Sequence, residues 1–444
     1  MRESWQTMPG ADDSCGRLRW KGCGSAGNKM KYTYKHTLYA SYIGYITQAI
    51  INNLPPLLFV TFQREFRISL EQIGLLISLN FGVQILVDFA AAQFVDKIGY
   101  RASATMAHIV STAGLICLGV LPNILPDPYV GLIAAVIMNS IGGGVIEVII
   151  SPIVESLPGE EKASAMSLLH SFYCWGHVAV VVLSTLYFRI GGIGRWSYLP
   201  LLWALVPLCN TFFFQKVPLR TLVEKQEQIP LRKLFSSGLF WILFALMLSA
   251  GASEQAMSQW SSLFAEVGLG VSKALGDLLG PCAFAVWRGL SRAFYGWKGS
   301  KLDLRKTLVI SSIFCAASYL LAVFSPWPLV SLAGCALVGL FVGIMWPGVL
   351  SLSAETYPQG GTAMFAILAV AGDLGCSSGP GLVGLVSNAV QNADIPFLST
   401  WFSGGGMTEM GLKAGLLLAV LFPILMVLGV AALRKRRNTL GKTI

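Results

Sequence analysis

The sequence is poor in charged residues. Only 12% of its 444 residues are Asp, Glu, Lys or Arg, whereas soluble domains have about 25%. Hydrophobic residues make up 54% of the chain, and its mean hydropathy is +0.64. This composition excludes an ordinary soluble globular protein, and the long uncharged runs predict helices that cross a bilayer.

Motifs for phosphate chemistry and metal catalysis are also absent. The sequence has no G-x-x-x-x-G-K-[ST] phosphate loop, and its polar stretches are too short to form an ATPase domain. Its four histidines include no His-x-x-x-His pair. The nine cysteines are mostly scattered singly in apolar stretches, which favours helix packing over a disulfide frame or a metal site. We therefore expect no enzyme activity, no cofactor and no metal, and transport driven by a gradient instead of ATP.

The first 35 residues are polar and rich in glycine. They lack the charged n-region, apolar h-region and cleavage site of a signal peptide. We expect residues 1–35 to be a disordered tail, and Met30 is an alternative start of translation.

Twelve apolar stretches are each long enough to cross a hydrocarbon core of about 30 Å. A polar linker at 216–237 separates the first six from the last six. The sequence therefore predicts an all-α membrane protein with six-helix bundles at 36–215 and 238–433, and polar tails at 1–35 and 434–444. The twelve predicted spans are 36–62, 72–95, 101–121, 129–152, 163–188, 196–215, 238–266, 274–296, 305–324, 328–352, 361–388 and 411–433.

Basic residues are distributed unevenly between the two sides of these spans. Of the 32 Lys and Arg residues, 24 lie in the tails, the central linker and the loops on the same side. Six lie in the opposite loops, and Arg288 and Arg292 lie within span eight. Cytoplasmic loops carry the excess of Lys and Arg in membrane proteins. This asymmetry predicts a cell-membrane protein with both termini and the linker in the cytoplasm, and it does not resemble a nucleic-acid-binding patch.

One stretch of the first half has a counterpart in the second. In Glu147–Gly176 a span ends, a charged loop follows, and the next span begins. Residues 343–376 repeat this order, with Glu355 at the position of Glu155. Such a repeat predicts two pseudo-symmetric halves.

Small residues crowd several spans, for example at 142–145, 334–343 and 376–384. Small residues let membrane helices approach closely. Tight packing is therefore the leading interpretation, and the alternative is that these helices slide or rock during a transport cycle.

The loop after span two carries a recognisable pattern. Its sequence, AAAQFVDKIGYRA, resembles the cytoplasmic motif of the major facilitator superfamily through Asp96, Lys97, Gly99 and Arg101. It differs from that motif at Ala92 and Tyr100. Together with twelve spans in two halves, the resemblance implies the major facilitator fold over residues 36–433.

Within that superfamily the chain looks closest to fucose–proton symporters and related bacterial sugar permeases. The resemblance is carried by Asn52-Asn53-Leu54 in span one and by Glu147, four residues before Ser151-Pro152, in span four. In those symporters an acid follows the Asn-Asn-Leu segment, and here that position holds Pro56. The resemblance therefore implies sugar transport with protons, with Glu147 as the retained acid and possible coupling through this single acid.

Ionisable residues inside spans need an explanation, because a charge at the bilayer centre costs about 2.5–3.5 kcal/mol on insertion scales. Glu147 is a candidate proton carrier or acceptor for solute hydroxyls, and the alternative is a bond that joins two helices. Asp373 is a second candidate proton site or the partner of Arg288. For Asp88 and Arg292, near the predicted cytoplasmic ends of spans two and eight, gating contacts or snorkelling are expected.

Polar and aromatic side chains share helix faces in several spans. Such groups suit a sugar or polyol, because amides and carboxylates form directional hydrogen bonds and aromatic rings cover the apolar side of a sugar. Intramembrane amides and histidines also join helices, so packing remains the alternative. The candidate solute-binding residues are Gln48, Asn52, Asn53, Glu147, Tyr173, His177, Glu254, Gln255, Gln259, Trp260, Trp346 and Asp373. The candidate proton-coupling residues are Glu147 and Asp373, and the candidate cytoplasmic gate comprises Asp96, Lys97, Arg101, Glu155 and Glu355.

These observations predict a secondary active transporter that works by alternating access. A sugar or polyol moved together with protons is the leading solute, and the partners are that solute, protons and the lipid bilayer, with the protein a monomer. A proton-driven exporter of drugs or metabolites with the same fold is the first alternative. A non-transporting membrane sensor is a remote one, since the sequence has no appended soluble domain.

Overall fold

The computed structural model describes residues 32–157, 162–219, 231–298, 303–357, 361–392 and 406–440, and its regular elements in these ranges are helical. The first half contains α1 Tyr34–Asn53, α2 Phe59–Phe66, α3 Leu70–Ile98, α4 Tyr100–Ile124, α5 Pro128–Glu155, α6 Lys162–Gly191 and α7 Tyr198–Lys216. The second half contains α8 Leu231–Phe235, α9 Gly238–Leu263, α10 Lys273–Asp277, α11 Ala283–Lys298, α12 Leu304–Phe324, α13 Pro328–Val342, α14 Met345–Thr356, α15 Gly361–Asn392, α16 Met407–Ala419 and α17 Leu421–Leu440.

Eleven helical segments of the described chain are long and apolar enough to cross a membrane. They coincide with eleven of the twelve predicted spans to within a few residues. The exception is span eight, where α10 and α11 are joined by a π-helical turn, Leu278–Cys282. Pro281 in this turn has no amide hydrogen to donate, and Arg288 and Arg292 make the span more polar than its neighbours.

Span one is also interrupted. Asn53 ends α1, and the 3₁₀ turn Pro55–Leu58 leads into α2. Proline cannot donate the backbone hydrogen bond of a continuing helix, so the Pro55-Pro56 pair explains the break. Pro56 is buried in this turn.

Short loops start the next helices with side-chain caps. Ser69 accepts a hydrogen bond from the amide of Gln72 at 3.1 Å, and the Gln72 side chain accepts one from the Ser69 amide at 2.9 Å. Asp127 accepts one from the amide of Tyr129 at 2.9 Å. These caps satisfy amides that the first helical turn leaves without partners, which fixes where α3 and α5 begin.

The helices form two groups that correspond to the two halves of the sequence. In the first half α4 packs on α5 and α7, and in the second half α9 packs on α15 and α17. The main contacts between the groups are α3 with α15 and α6 with α11. Glycines permit close approach: a methyl group on Gly339 would meet the backbone of Phe284, and one on Gly379 would meet the backbone of Ala252. The glycines therefore serve tight packing, as their abundance predicts.

The two ends of the bundle differ in their contacts. Thr37 donates to the carbonyl of Pro218 at 2.6 Å, and Arg101 donates to the carbonyl of Val217 at 2.8 Å. The start of α1, the start of α4 and the end of α7 therefore lie at one end, here called the linker side because the predicted linker begins there. The opposite end, where α2 ends and α3 begins, is called the far side.

Contacts between the halves are concentrated toward the far side. Ser78 and Ser377 each donate their hydroxyl to the other's carbonyl at 2.9 Å. Nearer the helix ends, Asn388 donates to Glu71 at 3.0 Å, and an ion pair of 3.0 Å joins Arg64 to Glu266. We call the α3–α15 contact line, with its Ser78–Ser377 bonds, the seam.

Candidate solute-binding site

A cavity of about 310 Å³ lies between the two halves. Its lining comes from α1, α3, α5 and α6 of the first half and from α9, α11, α14 and α15 of the second. The lining residues are Tyr45, Gln48, Asn52, Phe81, Gln84, Glu147, His170, Ser171, Tyr173, Glu254, Gln255, Arg292, Tyr295, Trp346, Pro347, Leu350, Asp373 and Cys376. His170, on the linker-side part of α6, is exposed, while the seam closes the far side. The cavity therefore opens toward the linker side.

Glu147 lies on the wall formed by the first half. The amide of Gln48, on α1, donates a hydrogen bond to its Oε2. One turn further along α5, the hydroxyl of Ser151 lies 2.9 Å from that of Tyr45. Among the ion pairs of the described residues, none involves Glu147. The carboxyl group thus meets a neutral donor and the cavity, which leaves it able to exchange a proton or accept a hydroxyl.

Asp373 lies on the wall formed by the second half. It is 6% exposed and borders the cavity. The preceding residue, Gly372, lies against the indole ring of Trp346. Asp373 therefore faces the cavity next to the part of the wall formed by Trp346.

A basic pair occupies the opposite part of the cavity. Arg288 and Arg292, one turn apart on α11, both donate to Glu254 of α9, and the Arg292 Nη2–Glu254 Oε2 distance is 2.9 Å. The hypothesis that Arg288 pairs with Asp373 is therefore wrong. Arg292 does not snorkel to the membrane surface, as its place near a span end suggested, but borders the cavity. Arg288 is fully buried behind it, with its guanidinium 5.4 Å from the ring centre of Tyr173.

Amide side chains form a network around Asn52. Its Oδ1 accepts hydrogen bonds from Asn80 at 3.0 Å and from Gln84 at 3.1 Å. Its backbone carbonyl accepts one from Gln259 at 3.1 Å, and Gln259 also donates to Gln255 at 3.1 Å. Spans one and seven therefore meet beside the cavity. The network holds the amides of both halves in fixed orientations.

Four of the predicted solute-binding residues do not border this cavity. His177 is buried, with its Nδ1 3.4 Å from Arg288 Nη2. Trp260 is fully buried and donates to the carbonyl of Pro380 at 3.0 Å. Asn53 donates to the carbonyl of Ala49 at 2.8 Å, and Gln259 lines a smaller neighbouring pocket. Gln48, Asn52, Glu147, Tyr173, Glu254, Gln255, Trp346 and Asp373 all border the cavity.

Residues 41–380 match the model of the Major Facilitator Superfamily. The chain belongs to this superfamily. It is therefore a multi-pass membrane protein of a transporter family, and its halves are the two six-helix bundles of the major facilitator fold.

Solved structures of similar fold support this assignment. An inward-facing, occupied structure of a bacterial homologue of the human lysosomal transporter Spinster has a TM-score of 0.72 at 14% identity, covering 92% of this chain and 98% of that one. A point variant of the Escherichia coli fucose:proton symporter has a TM-score of 0.61 at 16% identity, covering 90% and 99%. A nucleoside transporter has a TM-score of 0.67 at 14% identity, covering 90% and 98%. No curated protein sequence gave a significant match.

The residues of the superfamily's cytoplasmic motif lie on the linker side. Arg101 donates to the carbonyls of Phe214, Gln215 and Val217, all within its own half. Lys97 and Glu355 are exposed. The side chains of Asp96 and Glu155 lie outside the described ones, and Glu155 is the last residue of α5. A gate formed by these residues stays a prediction.

Several lining residues of this major facilitator protein were not among the predicted site residues. Phe81, Leu350 and Pro347 look like ordinary apolar span residues in the sequence, and nothing there distinguishes them. Gln84 and Arg292 offered a signal, because an amide or a charge inside a span needs a partner. His170 offered the same signal. The residues missed are Tyr45, Phe81, Gln84, His170, Ser171, Arg292, Tyr295, Pro347, Leu350 and Cys376.

Proposed function

We propose that this protein is a secondary active transporter that moves a small polar solute, a sugar or polyol, across the cell membrane together with protons. The observation that carries the proposal is the cavity between the halves, which presents the carboxyl groups of Glu147 and Asp373 beside amide and hydroxyl donors. An acid inside a membrane protein and beside a cavity is typical of a proton pathway. Glu147 and Asp373 bind and release the proton, and the amides bind solute hydroxyls.

The size of the cavity favours a small solute over a bulky drug. Its volume of about 310 Å³ is at the lower end of the range of about 300–1,000 Å³ that is usual for ligand pockets. Gln48, Gln255 and Tyr173 supply directional polar groups, and Trp346 supplies a flat apolar surface. Such a lining suits a hydroxylated ring better than a large amphipathic cation. The similarity of fold to a fucose:proton symporter and a nucleoside transporter agrees with a sugar-like solute.

Alternating access gives the seam and the predicted gate complementary roles. With the linker in the cytoplasm, the present arrangement is the inward-open state, which is also the state of the similar Spinster homologue. In the outward-open state the seam separates and the linker side closes. Asp96, Lys97, Arg101, Glu155 and Glu355 then join the two halves on that side. Proton binding at Glu147 and Asp373 removes negative charge from the cavity and so favours the transition.

Transport into proteoliposomes tests this function. Sugars and polyols are first screened for a solute that raises the thermal stability of the purified protein. That solute is then added outside the proteoliposomes together with a proton gradient directed inward. Wild type should accumulate it, and Glu147→Gln should bind and exchange it without accumulation, because glutamine cannot carry a proton. Glu147→Asp, which keeps a titratable group, should retain part of the coupling. Full proton-driven accumulation by Glu147→Gln would contradict the role of Glu147, and the absence of flux for every solute would contradict the proposed function.

A further inference from the structure

Two guanidinium groups share one carboxylate at the cavity wall. Arg288 binds Oε1 and Arg292 binds Oε2 of Glu254, so both carboxylate oxygens are occupied. Arginine remains protonated in proteins. Glu254 therefore balances one of the two positive charges, and this trio retains a net charge of +1.

The unbalanced charge faces the cavity through Arg292. The Arg288 side chain is fully buried, whereas that of Arg292 is 23% exposed and lines the cavity. Its Nε donates to the carbonyl of Gly343 at 3.4 Å, and its Nη1 lies 3.9 Å from the sulfur of Cys174. A thiol sulfur is a weak acceptor. Arg292 thus has donor capacity directed into a partly enclosed space.

The remaining charges of the lining are the two acids on the other walls. The titratable and charged groups that face Arg292 or these acids are Glu254, Arg288, Cys174, His170, Tyr295, Tyr45, Asp88, Glu147 and Asp373. None of the ion pairs among the described residues joins Arg292 to Glu147 or Asp373. When these two acids carry the protons of the proposed function, the lining has an excess of one positive charge. A partly enclosed cavity with that charge attracts an anion.

We propose that the transported solute is a hydroxylated organic anion whose carboxylate or phosphate binds the guanidinium of Arg292. This inference rests on the proposed function and specifies its small polar solute as a sugar acid or a sugar phosphate. The planar guanidinium suits both anionic groups, because its paired N–H donors match two oxygens of either one. The hydroxyl groups of the solute face Gln48, Gln255 and Tyr45.

Matched pairs of solutes test the charge requirement on the wild-type protein. The full chain, purified in detergent at about pH 6, is tested for thermal stabilisation by galactose against galacturonate, glucose against gluconate, and glucose against glucose 6-phosphate. At least one acid should stabilise the protein, and its neutral partner should not. Comparing galacturonate and gluconate with glucose 6-phosphate shows whether the site prefers a carboxylate or a phosphate. The proposal would be overturned if neutral sugars stabilised the protein as much as their acids do. It would also be overturned if none of the acids stabilised the protein.

Variants of one arginine test the site. Arg292→Gln should weaken binding of the stabilising acid about 10- to 100-fold, the usual effect of losing a charged hydrogen bond. Arg292→Lys should lose less, because it keeps the charge. The control Arg189→Gln removes an equal charge from an exposed far-side position and should bind as wild type. Unchanged acid binding by Arg292→Gln would refute the site. Proton-driven accumulation of a neutral sugar by wild type would refute the proposal that the solute is an anion. It would leave the proposal of proton-coupled transport intact.

Discussion

The Ser78–Ser377 bonds of the seam should control the balance between the two states of the transporter. Each hydroxyl donates to the other residue's carbonyl at 2.9 Å, and each bond joins one half to the other. A hydrogen bond of this kind contributes about 1 kcal/mol net, and 1.4 kcal/mol changes an equilibrium tenfold. Ser377→Ala should therefore shift the ratio of outward-open to inward-open protein about fivefold. Ser78→Ala combined with Ser377→Ala should shift it about thirtyfold if the two effects add.

Distance measurements between spin labels on the far-side ends of α3 and α15 report this ratio. The labels are placed in a background whose nine cysteines are replaced, and the fraction of long distances should rise in the order wild type, single variant, double variant. Ser312→Ala is the matched control, because the Ser312 hydroxyl donates at 2.7 Å to Leu308 within one helix. An unchanged distribution in the double variant, or an equal shift in the control, would refute the role of the seam.

Three further predictions concern stability and the contacts between the halves. Gly375→Ala should lower the unfolding free energy by about 1–3 kcal/mol, since its methyl group would collide with a carbonyl of a neighbouring helix. The control is Gly194→Ala, whose methyl group would point into open space and should leave thermal unfolding unchanged. Asp88→Leu should raise stability in thermal unfolding, because a buried Asp88 oxygen has no hydrogen-bond partner among the described residues and an apolar side chain removes that cost, whereas Asp88→Asn, which stays polar, should raise it less. Arg64→Ala removes an ion pair whose arginine is 69% exposed. Such a pair contributes less than about 1 kcal/mol, so the ratio of outward-open to inward-open protein in the spin-label experiment should change little.

The spans and their grouping follow from physical rules that leave strong traces in sequence. A bilayer requires long uncharged helices, so eleven spans could be located to within a few residues. Placing acids and amides inside a membrane span is energetically unfavourable, so such residues often mark functional sites. On that ground Glu147, Glu254 and Gln48 could be selected, and all three border the cavity. Span eight, which carries Arg288 and Arg292, is not among these eleven and stays a prediction.

Partner choice within the bundle could not be derived in the same way. Asp373 was the expected partner of Arg288, but the arrangement of the helices places the Arg288 guanidinium against Glu254 of α9. His170 and His177 share a helix face, yet one is exposed and the other is buried against Arg288. Sequence spacing assigns a residue to a face, but the neighbouring helix decides whether that face meets protein or cavity.

Gly372 has a consequence beyond helix packing. A side chain there would strike the indole of Trp346, which borders the cavity, so the ring would have to leave its present position. The absence of a side chain at position 372 thus helps to set the shape of the cavity, although the residue itself need never touch the solute. Enlarging this position would narrow the range of molecules carried without altering a single polar group that recognises them.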